Sequence, residues 1–130
     1  MVADLFHYGH VELLRQARAL RVNLLVGIHS YEEVLAHKRQ TILTVEERVA
    51  CVAGCRHVDE VLANAPWVTD RAWIAKHNID LVVHGGDCSP ERLKQTHAAP
   101  EMGILRTVTY TPGISSTEII RRCQGAKAPG

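Results

Sequence analysis

His7 and His10 stand three residues apart with Gly9 between them, in the run Asp4-Leu5-Phe6-His7-Tyr8-Gly9-His10. Val11, Leu13, Leu14, Ala17 and Leu20 then recur at helical spacing, with Glu12, Arg15, Gln16 and Arg18 interleaved. The spacing predicts a helix whose first turn carries both imidazoles on one side. A helix entrance offers unpaired backbone N–H groups and the positive end of the dipole, so it attracts phosphate. Gly9 lets an anion approach the backbone closely. Two imidazoles add donors that can be neutral or charged near pH 7. Two other readings stay open on these residues alone. A His-x-x-His pair can bind a metal from one helical face, and a histidine at a helix start can be a surface or capping residue.

Two more stretches could do chemistry. His84-Gly85-Gly86-Asp87 follows an apolar run, and Gly113-Ile114-Ser115-Ser116-Thr117 precedes an amphipathic one. The elements between them alternate in type. Residues 22–28 read as a short strand buried on both faces, followed by a loop or short helix start at 29–33. Thr44-Val45-Glu46-Glu47 has the form of a capping box opening a helix over 45–55. Residues 58–62 are a second strand, and 64–67 a loop. Thr69 or Asp70 caps a helix running through His77, which Asn78 ends. A third strand spans 80–84, and 88–100 is polar and irregular with a helical turn at 91–96. A fourth strand spans 104–110. Residues 114–117 open a last helix over 118–123, and 124–130 form a frayed tail. This alternation implies one α/β domain over residues 1–130, with a parallel sheet and ligands at the carboxyl ends of its strands. The three polar, glycine-bearing spots are then expected on one rim.

Composition narrows the classes. The chain has 130 residues, 46% hydrophobic and 22% charged, with a net charge of +1. That balance gives no electrostatic case for nucleic acid or an acidic membrane. No apolar run nears the roughly 20 residues of a spanning helix, and there is no signal-peptide pattern, so a cytoplasmic location is expected. Cys51, Cys55, Cys88 and Cys123 lack zinc-site spacing and read as buried thiols, with Cys51 and Cys55 on one helix face.

With these pieces assembled, the chain resembles the cytidylyltransferases that act on choline phosphate and ethanolamine phosphate, within the HxGH nucleotidyltransferase superfamily. The resemblance is carried by the run from Asp4 to His10, by Val58-Asp59-Glu60-Val61 with Ala65-Pro66-Trp67, by Ile79-Asp80-Leu81-Val82-Val83-His84-Gly85, and by Gly113-Ile114-Ser115-Ser116-Thr117-Glu118-Ile119-Ile120. It implies a Rossmann-like parallel sheet with helices on both faces. It also implies attack of a substrate phosphate on the α-phosphorus of CTP with release of pyrophosphate, Mg²⁺ accompanying the CTP. Such chemistry depends on positioning two anions and stabilising charge on the transferring group. By resemblance, His7, His10 and Lys38 are catalytic. Asp4, Phe6, Gly9, His84, Gly85, Asp87, Tyr110, Thr111, Gly113, Ile114, Ser115, Ser116 and Thr117 border the nucleotide, and Trp67 lines the acceptor pocket. Residues 115–117 also fit a plain helix cap. Arg48 fits a family position, but an exposed helix salt bridge competes. A homodimer is implied.

Three departures matter. Met1 stands where relatives have a glycine, Ala3 where they have phenylalanine, and the apolar strand expected before them, at the sheet centre, is missing. Its two neighbours would lose a row of hydrogen-bond partners. Tyr110 replaces an arginine that contacts phosphate; Arg106, four residues earlier, is on the same strand face. Gly86 stands where many relatives have an acid. The alternative function is therefore a truncated nucleotide-binding or interaction module without turnover. ATP in place of CTP is a variant of the same chemistry.

Overall fold

A computed structural model describes residues 1–86 and 88–125. Asp87 and most of the expected tail, residues 126–130, lie outside the described residues. The chain runs α1 (Tyr8–Leu20), β1 (Leu25–His29), α2 (Tyr31–His37), α3 (Val45–Ala53), β2 (Glu60–Ala65), α4 (Arg71–Lys76), β3 (Val82–Gly85), α5 (Pro90–Thr96), α6 (Ala99–Met102), β4 (Leu105–Val108) and α7 (Ser116–Cys123). The α/β alternation is as expected, and all strand pairing is parallel. The strands form two two-stranded sheets, β1–β2 and β3–β4, rather than one.

Residues 1–65 and 111–125 form one compact unit. Its core is Ala3, Leu14, Val26, Ile28 and Val52, with Met1, Phe6, Leu24, Val45, Val49, Cys55, Val58 and Val61 packed against it. α3 lies against β1 and β2. Apolar residues supply one face of each element here, so burial of that face fixes the register. Strand β1 alternates, with Val26 and Ile28 buried and the others half-buried. The expected two-sided burial is not found, and Val22 is almost fully exposed. Along the other edge of β1 the Met1 amine donates to the Gly27 carbonyl at 2.6 Å, and the His29 N–H donates to the Met1 carbonyl at 3.1 Å. Met1 thus pairs with β1 as one residue of a parallel strand would.

Residues 66–110 form the second unit. Val82 pairs with Leu105 and Gly85 with Val108. Ile74, Leu93 and Ala99 are its buried apolar side chains.

The Thr44 capping box is present in full: its hydroxyl accepts from the Glu47 N–H at 3.2 Å, and Glu47 accepts from the Thr44 N–H at 2.9 Å. Asp70, not Thr69, caps α4. Of the two readings open at 29–33, the helix start is found: Ser30 caps a two-turn helix, α2. Residues 99–102 form an unforeseen one, α6. The cysteine expectation fails. Helix α3 stops at Ala53 with Gly54 as its cap, so Cys55 falls beyond it. Cys51 and Cys123 are exposed, Cys55 and Cys88 half-buried, and all four are free thiols.

Arg48 is the largest buried side chain. Its Nη1 donates to the carbonyls of Val2 at 3.0 Å and His29 at 2.8 Å, while Nε and Nη2 have no partner. The exposed salt bridge is therefore ruled out. The guanidinium ties the first residues of the chain to the end of β1. Arg48→Lys keeps the charge, but its side chain is one bond shorter and brings the ammonium short of the two carbonyls. It is expected to cost about 2 kcal/mol in thermal or urea unfolding; an unchanged midpoint would contradict this.

Candidate functional site

The entrance of α1 is built by its own histidines. His7 is the N-cap in extended conformation, and its Nδ1 accepts from the Gly9 N–H at 3.0 Å. The Nδ1 of His10 accepts from the His7 N–H at 3.1 Å. Two orphan helix donors are satisfied reciprocally, as in a Ser/Glu capping box, but by imidazoles. Accepting at Nδ1 fixes both rings in the tautomer that carries hydrogen on Nε2, leaving one outward donor on each. The ring centroids lie 3.8 Å apart, and Phe6 stacks on His10 at 5.6 Å with an interplanar angle of 2°. Gly9 has no room for a side chain. A Cβ there would come within 2.9 Å of His7 and 3.3 Å of Ile114 Cγ2.

Burial sets the charge. It pushes the pKa of His7 down. His10 is lowered from 6.5 to about 4, first by burial and then by His7. Both are neutral donors at pH 7. A stability prediction follows from His10, whose window runs from its unfolded value of 6.5 to about 4 in the fold. Above that window the ring is neutral in both states. Inside it, only the unfolded chain binds the proton, so stability falls as pH drops, by up to about 1.4 kcal/mol per pH unit. Below the window both states bind it and the loss levels off. Unfolding free energy measured from pH 7 to 4 should fall less steeply for His10→Gln than for the parent; equal slopes would contradict the assignment.

The entrance of α7 meets that of α1. Ser116 Oγ donates to the Asp4 carbonyl at 2.5 Å, across 112 residues of sequence. With the Gly9–Ile114 contact, this brings residues 4–10 and 113–117 together. Gly113 has φ +84°, a left-handed conformation that favours glycine. Ser115 caps α7, its hydroxyl accepting from the Glu118 N–H at 3.0 Å. The capping reading is thus correct for Ser115 itself. Thr111 and Ile114 are half-buried in this loop, and Thr117 is exposed.

Asp4 was expected at the nucleotide. Its carboxylate is instead buried and occupied, accepting from the N–H groups of Ile42 and Leu43 at 2.9 Å each and from Arg39 Nη1 at 3.2 Å. Sequence reasoning missed this staple because its partners lie 35 to 39 residues away. The staple holds the exit of α2 against the loop before α1. Lys38 is the C-cap residue of α2, next to Arg39. It is exposed, and after burial its charge is the main influence lowering the Met1 amine.

The remaining expected residues lie in the second unit. Trp67 is half-buried, in the segment that follows β2 in the chain. His84 and Gly85 end β3, with His84 Nδ1 3.1 Å from the Gly85 carbonyl. Tyr110 is 48% exposed, and Arg106 is exposed on β4. A Cβ on Gly86 would lie 3.1 Å from the Val108 carbonyl, so an acid there needs a shift of the backbone. His97 was not foreseen. Its Nδ1 is 2.5 Å from Thr69 Oγ1, its ring lies edge-on to His84 at 5.6 Å, and burial, then His84, lowers it to about 4.

Among the described residues, no group of three or more His, Cys, Asp or Glu side chains is placed to hold a metal. With both Nδ1 atoms bonded to backbone, the histidine pair is built as two hydrogen-bond donors. Among the same residues, no helix is long and apolar enough to cross a membrane.

The chain is 41% identical over 121 residues to the probable ethanolamine-phosphate cytidylyltransferase of Encephalitozoon cuniculi, covering 92% of this chain and 38% of that protein. It is 42% identical over 125 residues to the ethanolamine-phosphate cytidylyltransferase of Dictyostelium discoideum, with 92% and 35% covered. Choline-phosphate cytidylyltransferase A of Homo sapiens is 37% identical over 131 residues, with 93% and 34% covered. The chain thus spans about a third of the length of these relatives. The fold matches the crystal structure of a lipopolysaccharide core biosynthesis protein from Thermoplasma volcanium GSS1, with a TM-score of 0.69 at 18% identity over 88% of this chain and 93% of that one. Residues 2–122 match the family model described as cytidylyltransferase-like. Matched over nearly its whole length, the chain belongs to the cytidylyltransferase-like family.

Proposed function

We propose that the chain transfers CMP from CTP to a small phosphorylated amino alcohol, phosphoethanolamine or phosphocholine, releasing pyrophosphate. One observation carries this reading: Ser116 joins the α7 entrance to the Asp4 loop, beside two histidines with free Nε2–H donors. An acceptor phosphate oxygen attacks the α-phosphorus. A new P–O bond forms, and the bond to the oxygen bridging the α- and β-phosphorus breaks with its electron pair. No proton need move, because nucleophile and leaving group are both phosphate anions. The residues therefore act by positioning and by stabilising charge. His7 and His10 donate to phosphoryl oxygens as neutral groups. Lys38 offsets charge between the two anions. Gly9 and residues 113–117 give backbone amides and hydroxyls to the triphosphate. By the family resemblance alone, Trp67 is assigned to the ammonium of the acceptor, and Tyr110, His84, Gly85 and Asp87 to the nucleotide. Mg²⁺ brought in with the CTP would supply countercharge to the triphosphate. We place the chain in the cytoplasm, as a homodimer and a single functional domain.

Pyrophosphate release from CTP with phosphoethanolamine, and separately with phosphocholine, tests the reading. Turnover with either and with CTP supports it; turnover only with ATP overturns the choice of nucleotide. Tyr110, in place of an arginine, favours a second reading: a module that binds nucleotide without turnover. Its signature is a raised melting temperature with CTP and no pyrophosphate.

A further inference from the structure

Arg122 stands in the last turn of α7. A cation there ordinarily serves the terminal carbonyls or solvent. This one does neither. Its Nη2 lies 3.4 Å from the Gly113 carbonyl, nine residues back and ahead of the helix, and its Nε lies 3.3 Å from Glu118 Oε1. The side chain thus runs from the far end of α7 to its entrance, as the backward tilt of helical side chains permits. It is 28% exposed, so it lies along the helix rather than in water.

The charge balance at that entrance gives the arrangement a use. Glu118 sits in the first turn and complements the helix dipole, but a carboxylate there also repels a phosphate. Arg121 takes Glu118 in a two-pronged pair, Nε to Oε2 and Nη2 to Oε1, both at 2.7 Å. That pair is neutral. Arg122 adds a second guanidinium to the same carboxylate through one longer bond, so the cluster keeps one positive charge in excess. Its Nη2 is held by a carbonyl at a distance that makes a weak bond, readily exchanged for an anionic oxygen.

Resting on the nucleotide site proposed above, we propose that Arg122 reads the β- and γ-phosphates of the triphosphate at the α7 entrance, leaving the Gly113 carbonyl to bind them and so selecting CTP over CMP. This gives the loop after the strand-to-helix turn a cation from behind, through the helix it opens.

Calorimetric titration of the parent chain with CTP and with CMP, both with Mg²⁺, sets the reference ratio. Arg122→Gln is expected to weaken CTP by about tenfold, the loss of one charge-assisted hydrogen bond, with CMP within about twofold. Arg122→Lys keeps the charge and recovers part of the loss. Arg121→Gln, whose guanidinium faces Glu118, is expected to change the ratio less than Arg122→Gln. Equal losses for CTP and CMP, or an unchanged ratio in Arg122→Gln, would overturn the assignment to Arg122 while leaving the site intact. Failure of the parent chain to bind CTP would overturn the site itself, and this inference with it. Melting of each unliganded variant checks that the helix still folds.

Discussion

His10→Ala is expected to lower the rate of pyrophosphate release by two to three orders of magnitude, with a much smaller change in CTP affinity. The Nε2–H of His10 is the one polar group left free after Nδ1 accepts the His7 N–H. A donor aimed where charge develops contributes to the transition state more than to binding, and removing one typically costs a factor of about 10² to 10³. The ring is neutral because burial lowers it to about 4, so the loss reflects a missing hydrogen bond rather than a missing charge. His10→Asn, which also offers an N–H, should retain more activity than alanine. Its rate should vary little between pH 6 and 8 on account of position 10. A variant that loses affinity and rate in equal proportion would place His10 in ground-state binding instead.

Asp4→Ala is the largest expected loss of stability, about 3 kcal/mol by chemical unfolding. The substitution removes the acceptor of two backbone N–H groups and of Arg39, all from the segment between α2 and α3. Donors left without a partner cost about 1–3 kcal/mol each when buried, and water recovers part of that at a partly open site. Ala3 and Leu5, on either side, have φ of 56° and 52°. These strained conformations need a firm anchor between them. Asp4→Asn keeps an acceptor oxygen but loses the charge and should cost less. If alanine unfolds at the same denaturant concentration as the parent, the staple does not hold the loop.

The sequence was most informative where structure is local. The α1 periodicity, the box at Thr44 and Glu47, and the Asp70 cap all depend on partners within four residues, and each was legible. Ser30 and Glu33 also carry the Ser-x-x-Glu pattern, and only Ser30 is used, its Oγ accepting the Glu33 N–H at 3.2 Å. That local signal fits the short helix start left open at 29–33, though it does not by itself give the length of α2. Residues 99–102 likewise carry Pro100 at the start and Gly103 in a left-handed cap.

What the sequence hid is set by distance along the chain. Asp4 and Arg48 look like an exposed acid in a binding loop and an exposed base on a helix. Their partners lie 19 to 46 residues away, and these remote carbonyls and amides make both residues internal. The same holds for Thr69 and His97, joined across 28 residues. The pairing of His7 with His10 was legible from spacing, but their tautomers were not, since those depend on which backbone N–H each Nδ1 accepts.

The most direct test of the joint α1–α7 site is a titration with CTP followed by nuclear magnetic resonance of ¹⁵N-labelled protein. The account predicts that the Nε2 signals of His7 and His10 and the amide signals of Ser115, Ser116 and Thr117 shift together, with one dissociation constant, and shift less with CMP. Movement of one group without the other, or of neither at concentrations that saturate turnover, would contradict it.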